Sequence, residues 1–193
     1  LAAREGGWDW LTKPADTTER DAAMAAAEAA IVRAEPPALR GLAAPVRAAL
    51  EPLLAVEELP FALILRAARA AHHAGLSDLG RQLAGRGVTT IGMAVDVRAT
   101  ADDDGDRLRL TLAQASALAG DADSAERLAG AVARAGRIPC EADRVIDALA
   151  LGAGRGVADG VAGRLLGFAP RCEALHAWAV DLAPTSAEAT RRA

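Results

Sequence analysis

Over residues 22–34 the chain reads AAMAAAEAAIVRA, and alanine-dense stretches of this kind recur along its length. Alanine supplies roughly a quarter of the 193 residues, against two phenylalanines and no tyrosine. That bias constrains the fold more than any other feature. Alanine is the best helix former, and a chain this poor in aromatic and β-branched bulk has little with which to fill a sheet. Small side chains instead let helices approach closely. The expectation is an all-α, compact multi-helix bundle held by tight helix-on-helix contacts.

At this length one well-packed core is the default. The expected organisation is an irregular leader over 1–15, a single helical domain over 16–184 and a tail over 185–193. In the leader, Trp8 and Trp10 are expected to pack into a surface groove. The formal charge is −4, with acidic and basic residues interleaved. There is no basic stripe to engage a phosphate backbone, so nucleic acid is not an expected partner. Apolar runs are too short for a membrane span of about 18–20 residues, since LPFALIL is cut by Arg66 and AAMAAAEAAIV by Glu28. A cytoplasmic protein without a membrane partner is therefore expected. Cys140 and Cys172 are too few and too distant for a disulfide framework, which makes free thiols the plain reading.

Punctuation along the chain divides the helices. Thr18 followed by Asp21 is a capping pattern, and Pro36–Pro37 predicts where that helix stops. Leu39, Leu42, Val46, Leu50 and Leu53 recur at helical spacing, with Pro45 and Pro52 starting new turns or kinking the segment. Pro60 opens a third helix with Leu63, Ala67, Ala70 and Ala71 on one face, released at Gly75. Ser77 caps a short helix expected to run out by Gly85 or Gly87. Residues 88–112 leave two readings open. Val95, Val97, Leu108, Leu110 and Leu112 alternate as in a hairpin, yet Leu108, Leu112, Ala115 and Ala119 step in helical fashion. Helix from about Arg107 is preferred, with a short helix before it. A calcium loop at DDDGD would put its first and last ligand positions on Thr100 and Thr111, so an acidic helix cap is preferred.

A further helix over DADSAERLAGAVARAG should turn Leu128, Val132 and Ala135 inward. Pro139 then begins a long one carrying Val145, Ile146, Leu149, Val157, Val161, Leu165 and Phe168. It contains Gly152, Gly154, Gly156, Gly160 and Gly163, and glycine costs up to about 1 kcal/mol relative to alanine inside a helix. Either a neighbouring helix approaches closely there, or a ligand lies against exposed backbone. A last helix is expected over PRCEALHAWAVDL.

From LPFALILRAARAAHHAGLSDLGRQLAGRGV through GDRLRLTLAQASALAGD and VARAGRIPCEADRVIDAL to GRLLGF, the order of elements resembles the carboxymuconolactone decarboxylase and alkylhydroperoxidase-D-like superfamily. The likeness covers roughly residues 38–170 and implies that family's all-helical bundle and a homo-oligomer. Peroxidase members of the family work through Cys-x-x-Cys-x-x-x-His with a glutamate about a dozen residues upstream, which together generate a reactive thiolate. Here that frame falls on Gly75–Asp78, with Gln82 at the histidine position and Leu63 near the glutamate position. None of them matches.

Three residues remain candidates for catalysis: His73, and Cys172 with His176. His72 and His73 point about a hundred degrees apart on a helix and cannot chelate one metal together. One is expected to be partly buried and hydrogen-bonded and the other wet, and His73 is the candidate base. Cys172 and His176 stand at i and i+4 and share a helix face. Extended to them, the family motif would place its first cysteine at Ala169 and its glutamate at Val157, so the resolving thiol is missing. No metal and no cofactor are expected.

These readings lead to a helical superfamily member without the redox pair, acting as a non-redox enzyme or a binding module. One alternative is a residual thiol hydroperoxidase using Cys172 and His176. The other is a tetratricopeptide-like interaction module built on LRLTLAQASALAGDADSAERLAGAVARAGR, of which no second copy recurs at the required period. A small-molecule ligand, where one binds, is expected between the His72 helix and Gly152–Gly160.

Overall fold

The computed structural model describes residues 17–56, 59–97, 103–135 and 143–168, and every one of their regular elements is helical. In chain order these are α1 (Thr17–Leu39), α2 (Ala43–Leu50), a 3-10 turn (Glu51–Ala55), α3 (Phe61–His73), α4 (Ser77–Val97), α5 (Asp103–Ala119), α6 (Ala122–Ala135), α7 (Asp143–Gly152) and α8 (Arg155–Phe168). The expectations for the leader, for Trp8 and Trp10, for Cys140, for Cys172 and His176, and for the last helix lie outside the described residues. Among the described residues, no helix is long and apolar enough to cross a membrane.

Glycine ends four elements or turns in the way its missing Cβ permits. Gly41, Gly75, Gly120 and Gly154 all have positive φ. At Gly75 the amide donates to the His72 carbonyl and that of Leu76 to the Ala71 carbonyl, and the same paired pattern recurs at Gly41 and Gly120. This closes the helix end by satisfying carbonyls that would otherwise be orphaned. After Gly120, Asp121 caps α6 by accepting the Ser124 amide at 3.0 Å. That bond holds the Asp121 carboxyl below its usual range.

The core is made of small residues, as composition predicts. Ala67, Ala68, Ala71, Ala113, Ala117, Ala125, Ala129, Ala148 and Ala158 are buried beside Ile31, Val46, Leu50, Leu83, Leu110, Leu118, Ile146, Leu149 and Leu165. Each of the eight helices contributes to one continuous apolar cluster. The centre is α5, which packs on α4, α6 and α7 and also touches α3. Helices α3 and α4 run antiparallel and nearly in contact. A Cβ at Gly80 would meet the His72 ring, and one at Gly87 would come within 3.2 Å of Phe61 and 3.3 Å of Ile64. Arg86 on α4 ties down the 3-10 turn by donating to the carbonyls of Leu53 at 2.8 Å, Leu54 at 3.0 Å and Val56.

Several expectations are corrected by this packing. The first helix does not stop at Pro36 but includes both prolines and runs to Leu39. Proline removes the bonds to the carbonyls four residues back. Those belong to Val32 and Arg33, both on the exposed side, where water can replace the lost donors. Leu39 and Leu42 are 77% and 47% exposed, because the turn at Gly41 swings them off the core and the inward face resumes at Val46. The helix opened by Ser77 does not end at Gly85 or Gly87 but continues to Val97. Residues 88–97 and 103–112 are helical, so the hairpin reading falls. The glycine-rich segment is two helices, broken between Gly152 and Arg155 with Gly154 at φ +99. Ala135, Val157 and Phe168 are exposed, while Leu63 and Leu128 are only half-buried. Phe168 is covered on one face by the Arg134 guanidinium, 4.8 Å from the ring centre.

Candidate functional site

Along α3, two faces carry different residue types. Ile64, Ala67, Ala68, Ala70 and Ala71 are buried, while Arg66, Arg69 and His73, at i, i+3 and i+7, form a polar stripe beside Ala70. The C-terminal half of α1 faces that stripe with Glu35, Ala38 and Leu39, at i, i+3 and i+4. Together with Arg66, Arg69, Ala70 and His73 these line a cleft of about 290 Å³.

The polar groups of the cleft are not equivalent. Arg66 is fully committed to Glu35: its Nε donates to one carboxylate oxygen at 2.9 Å and a terminal nitrogen to the other at 3.1 Å. Glu28 stands 3.9 Å from the same guanidinium. This two-pronged geometry fixes both side chains and cancels their charges. Arg69 instead meets neutral acceptors, the Gln114 Oε1 at 3.1 Å and the Arg144 carbonyl at 3.4 Å, both through one terminal nitrogen. Burial, foremost, lowers its hold on a proton, Asp147 opposes that effect and Arg144 adds to it. Arginine nevertheless stays charged in proteins.

The two histidines separate as expected. His73 is exposed at the rim of the cleft. His72 is only 7% exposed and reaches past α4 to α5, with its Nε2 2.8 Å from the Leu118 carbonyl. A carbonyl only accepts, so Nε2 carries the hydrogen in a neutral imidazole. Nδ1 is then an acceptor, buried and without a partner among the described residues. Gly80 makes the arrangement possible, since a Cβ there would stand 2.6 Å from the ring.

Burial, the largest cause, lowers the His72 pKa below its ordinary 6.5. Arg81 and the neighbouring His73 push the same way, and the bond to Leu118 opposes them. As pH falls through 6.5, the unfolded chain takes up a proton at this residue before the folded chain does, so stability is lost toward acid pH. The expected result is that the melting-temperature advantage of the wild type over His72→Gln narrows between about pH 8 and about pH 5.5. A gap that stays constant or widens would contradict the assignment.

The ligand position expected between the His72 helix and Gly152–Gly160 is corrected. A Cβ at Gly152 would overlap the Ala117 carbonyl oxygen and stand 2.8 Å from the Leu118 Cα. His72 and Gly152 thus close on the same turn of α5, leaving solid packing. Among the described residues, Gly156 and Gly163 have nothing within 4 Å of a would-be Cβ, and Gly160 meets the Arg164 side chain alone. The close-approach reading of the glycines therefore applies to Gly152, and the turn at Gly154 needs glycine for its φ.

Of the sequence candidates, the structure places His73 in the cleft, while Cys172 and His176 lie outside the described residues. Gly75–Asp78, onto which the resemblance would map a redox frame, is the α3–α4 junction, with Gly75 in the turn and Ser77 and Asp78 opening α4. Among the described residues no group of three or more His, Cys, Asp or Glu side chains converges to hold a metal ion. Glu35, Arg66 and Arg69 were not singled out by sequence reasoning. Their signal was the i, i+3, i+7 polar stripe opposite the alanine face of α3. Compared with family models, with characterised proteins and with solved structures, the chain finds no match.

Proposed function

We propose that this chain is a binding module for a small molecule, built on an alkylhydroperoxidase-D-like helical frame without thiol chemistry. The observation that carries the reading is the α1–α3 cleft, whose walls are Ala38, Leu39 and Ala70 and whose polar groups are Arg66, Arg69, His73 and Glu35. A few placed polar groups in an apolar concavity are what small-molecule sites share. The same lining argues for binding over catalysis. It contains no hydroxyl or thiol nucleophile, and both oxygens of its one carboxylate are occupied by Arg66. The absence of cysteine from Gly75–Asp78 supports the non-redox half of the reading.

Two assays test the two halves. A thermal-shift screen of the full chain against small acids, alcohols and amines should find compounds that raise the melting temperature, since a ligand that binds only the native state stabilises it. A screen with no stabilising compound would count against the cleft. Hydroperoxide consumption with dithiothreitol as donor is expected to stay at the uncatalysed rate. Turnover that disappears in Cys172→Ser would instead establish the thiol hydroperoxidase alternative.

A further inference from the structure

We propose that the ligand of the α1–α3 cleft is a small monoanion carried on a short apolar tail, such as a medium-chain carboxylate, and that Arg69 is its charged partner. The inference rests on the cleft being a binding site and goes on to name the class of ligand.

Arg66 and Glu35 neutralise each other through two hydrogen bonds, at 2.9 and 3.1 Å. Arg69 has no such partner. Its two bonds run from one terminal nitrogen to an amide oxygen and a backbone carbonyl, and the other guanidinium nitrogens make no hydrogen bond with the described residues. The Asp147 carboxylate acts on it through space, and the Arg144 cation acts the other way more weakly. Of the two cleft arginines, Arg69 is thus the one whose hydrogen bonds to the described residues all go to neutral groups.

Donors also outnumber acceptors. Arg69 has N–H groups to give and His73 at the rim adds an imidazole, whereas both Glu35 oxygens are already used. A cationic ligand would meet Arg69 as a like charge. A carboxylate accepts from both, and a bond between ions is stronger than a neutral one. Gln114, itself buried, holds the guanidinium in place from behind, so the cation is positioned before a ligand arrives.

Size and lining set the rest of the molecule. A cleft of about 290 Å³ lies at the lower end of the range for small-molecule sites, roughly 300–1,000 Å³. Beyond the charged groups its walls are Ala38, Leu39 and Ala70. Leu39 is largely exposed, and an apolar tail laid along it would remove that surface from water.

Isothermal titration of the full chain with hexanoate, hexan-1-ol and hexylammonium tests the proposal. Hexanoate should bind at least about tenfold more tightly than hexan-1-ol, and hexylammonium most weakly. Arg69→Gln should bring hexanoate down to the level of hexan-1-ol. Because Arg69 also bridges three helices, Leu39→Asp serves as a second variant at an exposed position. It should weaken hexanoate by a similar factor without favouring loss of fold, as checked by circular dichroism. Equal binding of hexanoate and hexan-1-ol, or preference for hexylammonium, would overturn the anion class while leaving the cleft intact. Binding of none of the three would overturn the cleft reading and this proposal with it.

Discussion

Gly152→Ala should lower the melting temperature by roughly 6–12 °C, the largest effect expected of any single methyl group added to this chain. The added Cβ would overlap the Ala117 carbonyl oxygen and come within 2.8 Å of the Leu118 Cα and 3.0 Å of the Ala117 carbonyl carbon. All three are backbone atoms of α5, so no rotamer change relieves the clash and α7 must move as a unit. Overpacking of this kind costs about 3 kcal/mol. At roughly 2–4 °C per kcal/mol for a chain of this size, the stated shift follows. Gly163→Ala is the control. It adds the same methyl inside α8 where none of the described residues lies within 4 Å. There alanine's better helix propensity should raise stability by up to about 1 kcal/mol. Thermal denaturation of the two variants side by side distinguishes a glycine required by close approach from one that is not. If both variants melted alike, the packing account of Gly152 would fail.

The second large effect is a reversal of sign. In the wild type, Gly80→Ala should destabilise by about 2–3 kcal/mol, because its Cβ would stand 2.6 Å from the His72 ring. Displacing the ring stretches the bond to the Leu118 carbonyl, 2.8 Å in the native arrangement, and a buried unsatisfied acceptor is costly. In a His72→Ala background the obstacle is gone, and the same substitution should stabilise by up to about 1 kcal/mol through helix propensity. His72→Ala alone removes the only side-chain donor shown to the Leu118 carbonyl and should itself be destabilising. Urea denaturation of the four proteins of this cycle should give a coupling of roughly 3 kcal/mol. Additive effects would show that the ring does not occupy the space above Gly80.

These glycines also show why sequence reading reached some features and missed others. Gly75 was legible as a helix end because Ser77 and Asp78 follow it, a restart signal, and its φ is +76. Gly85 and Gly87 looked like ends too, but Thr89 and Thr90 after them donate back to the carbonyls of Gly85 and Arg86 inside a continuing helix and do not cap a new one. Gly87 instead gives α3 room at Phe61 and Ile64. A glycine that stops a helix and one that admits a neighbour are identical in sequence, and the partner that decides lies about 25 residues away. Pro36 and Pro37 misled for a related reason: the cost of proline depends on whether the carbonyls four residues back face water, which periodicity does not encode.

The helix over 107–119 was legible from its spacing, yet its buried face was not. Leu110, Ala113, Ala117 and Leu118 are buried while Leu108, Leu112 and Ala119 are half-buried, because α5 is packed by neighbours on several sides. That the two neighbouring histidines would differ followed from helix geometry, but which of them turns inward did not, and the structure buries His72. The cleft was the least legible part. Glu35 and Arg66 are 31 residues apart, and Arg69 meets Gln114 across 45. No local pattern announces that Arg66 will bond to a carboxylate and Arg69 to an amide oxygen and a backbone carbonyl.

The most direct test of the central claim, that the α1–α3 cleft is where this protein takes its ligand, is mapping of backbone amide shifts by two-dimensional NMR as hexanoate, or the best compound from the thermal screen, is added. The account predicts saturable changes concentrated in residues 35–39 and 66–73, with little movement at Gly152–Gly160. Changes centred on Cys172 and His176, or around Gly152–Gly160 with the cleft residues unmoved, would contradict it.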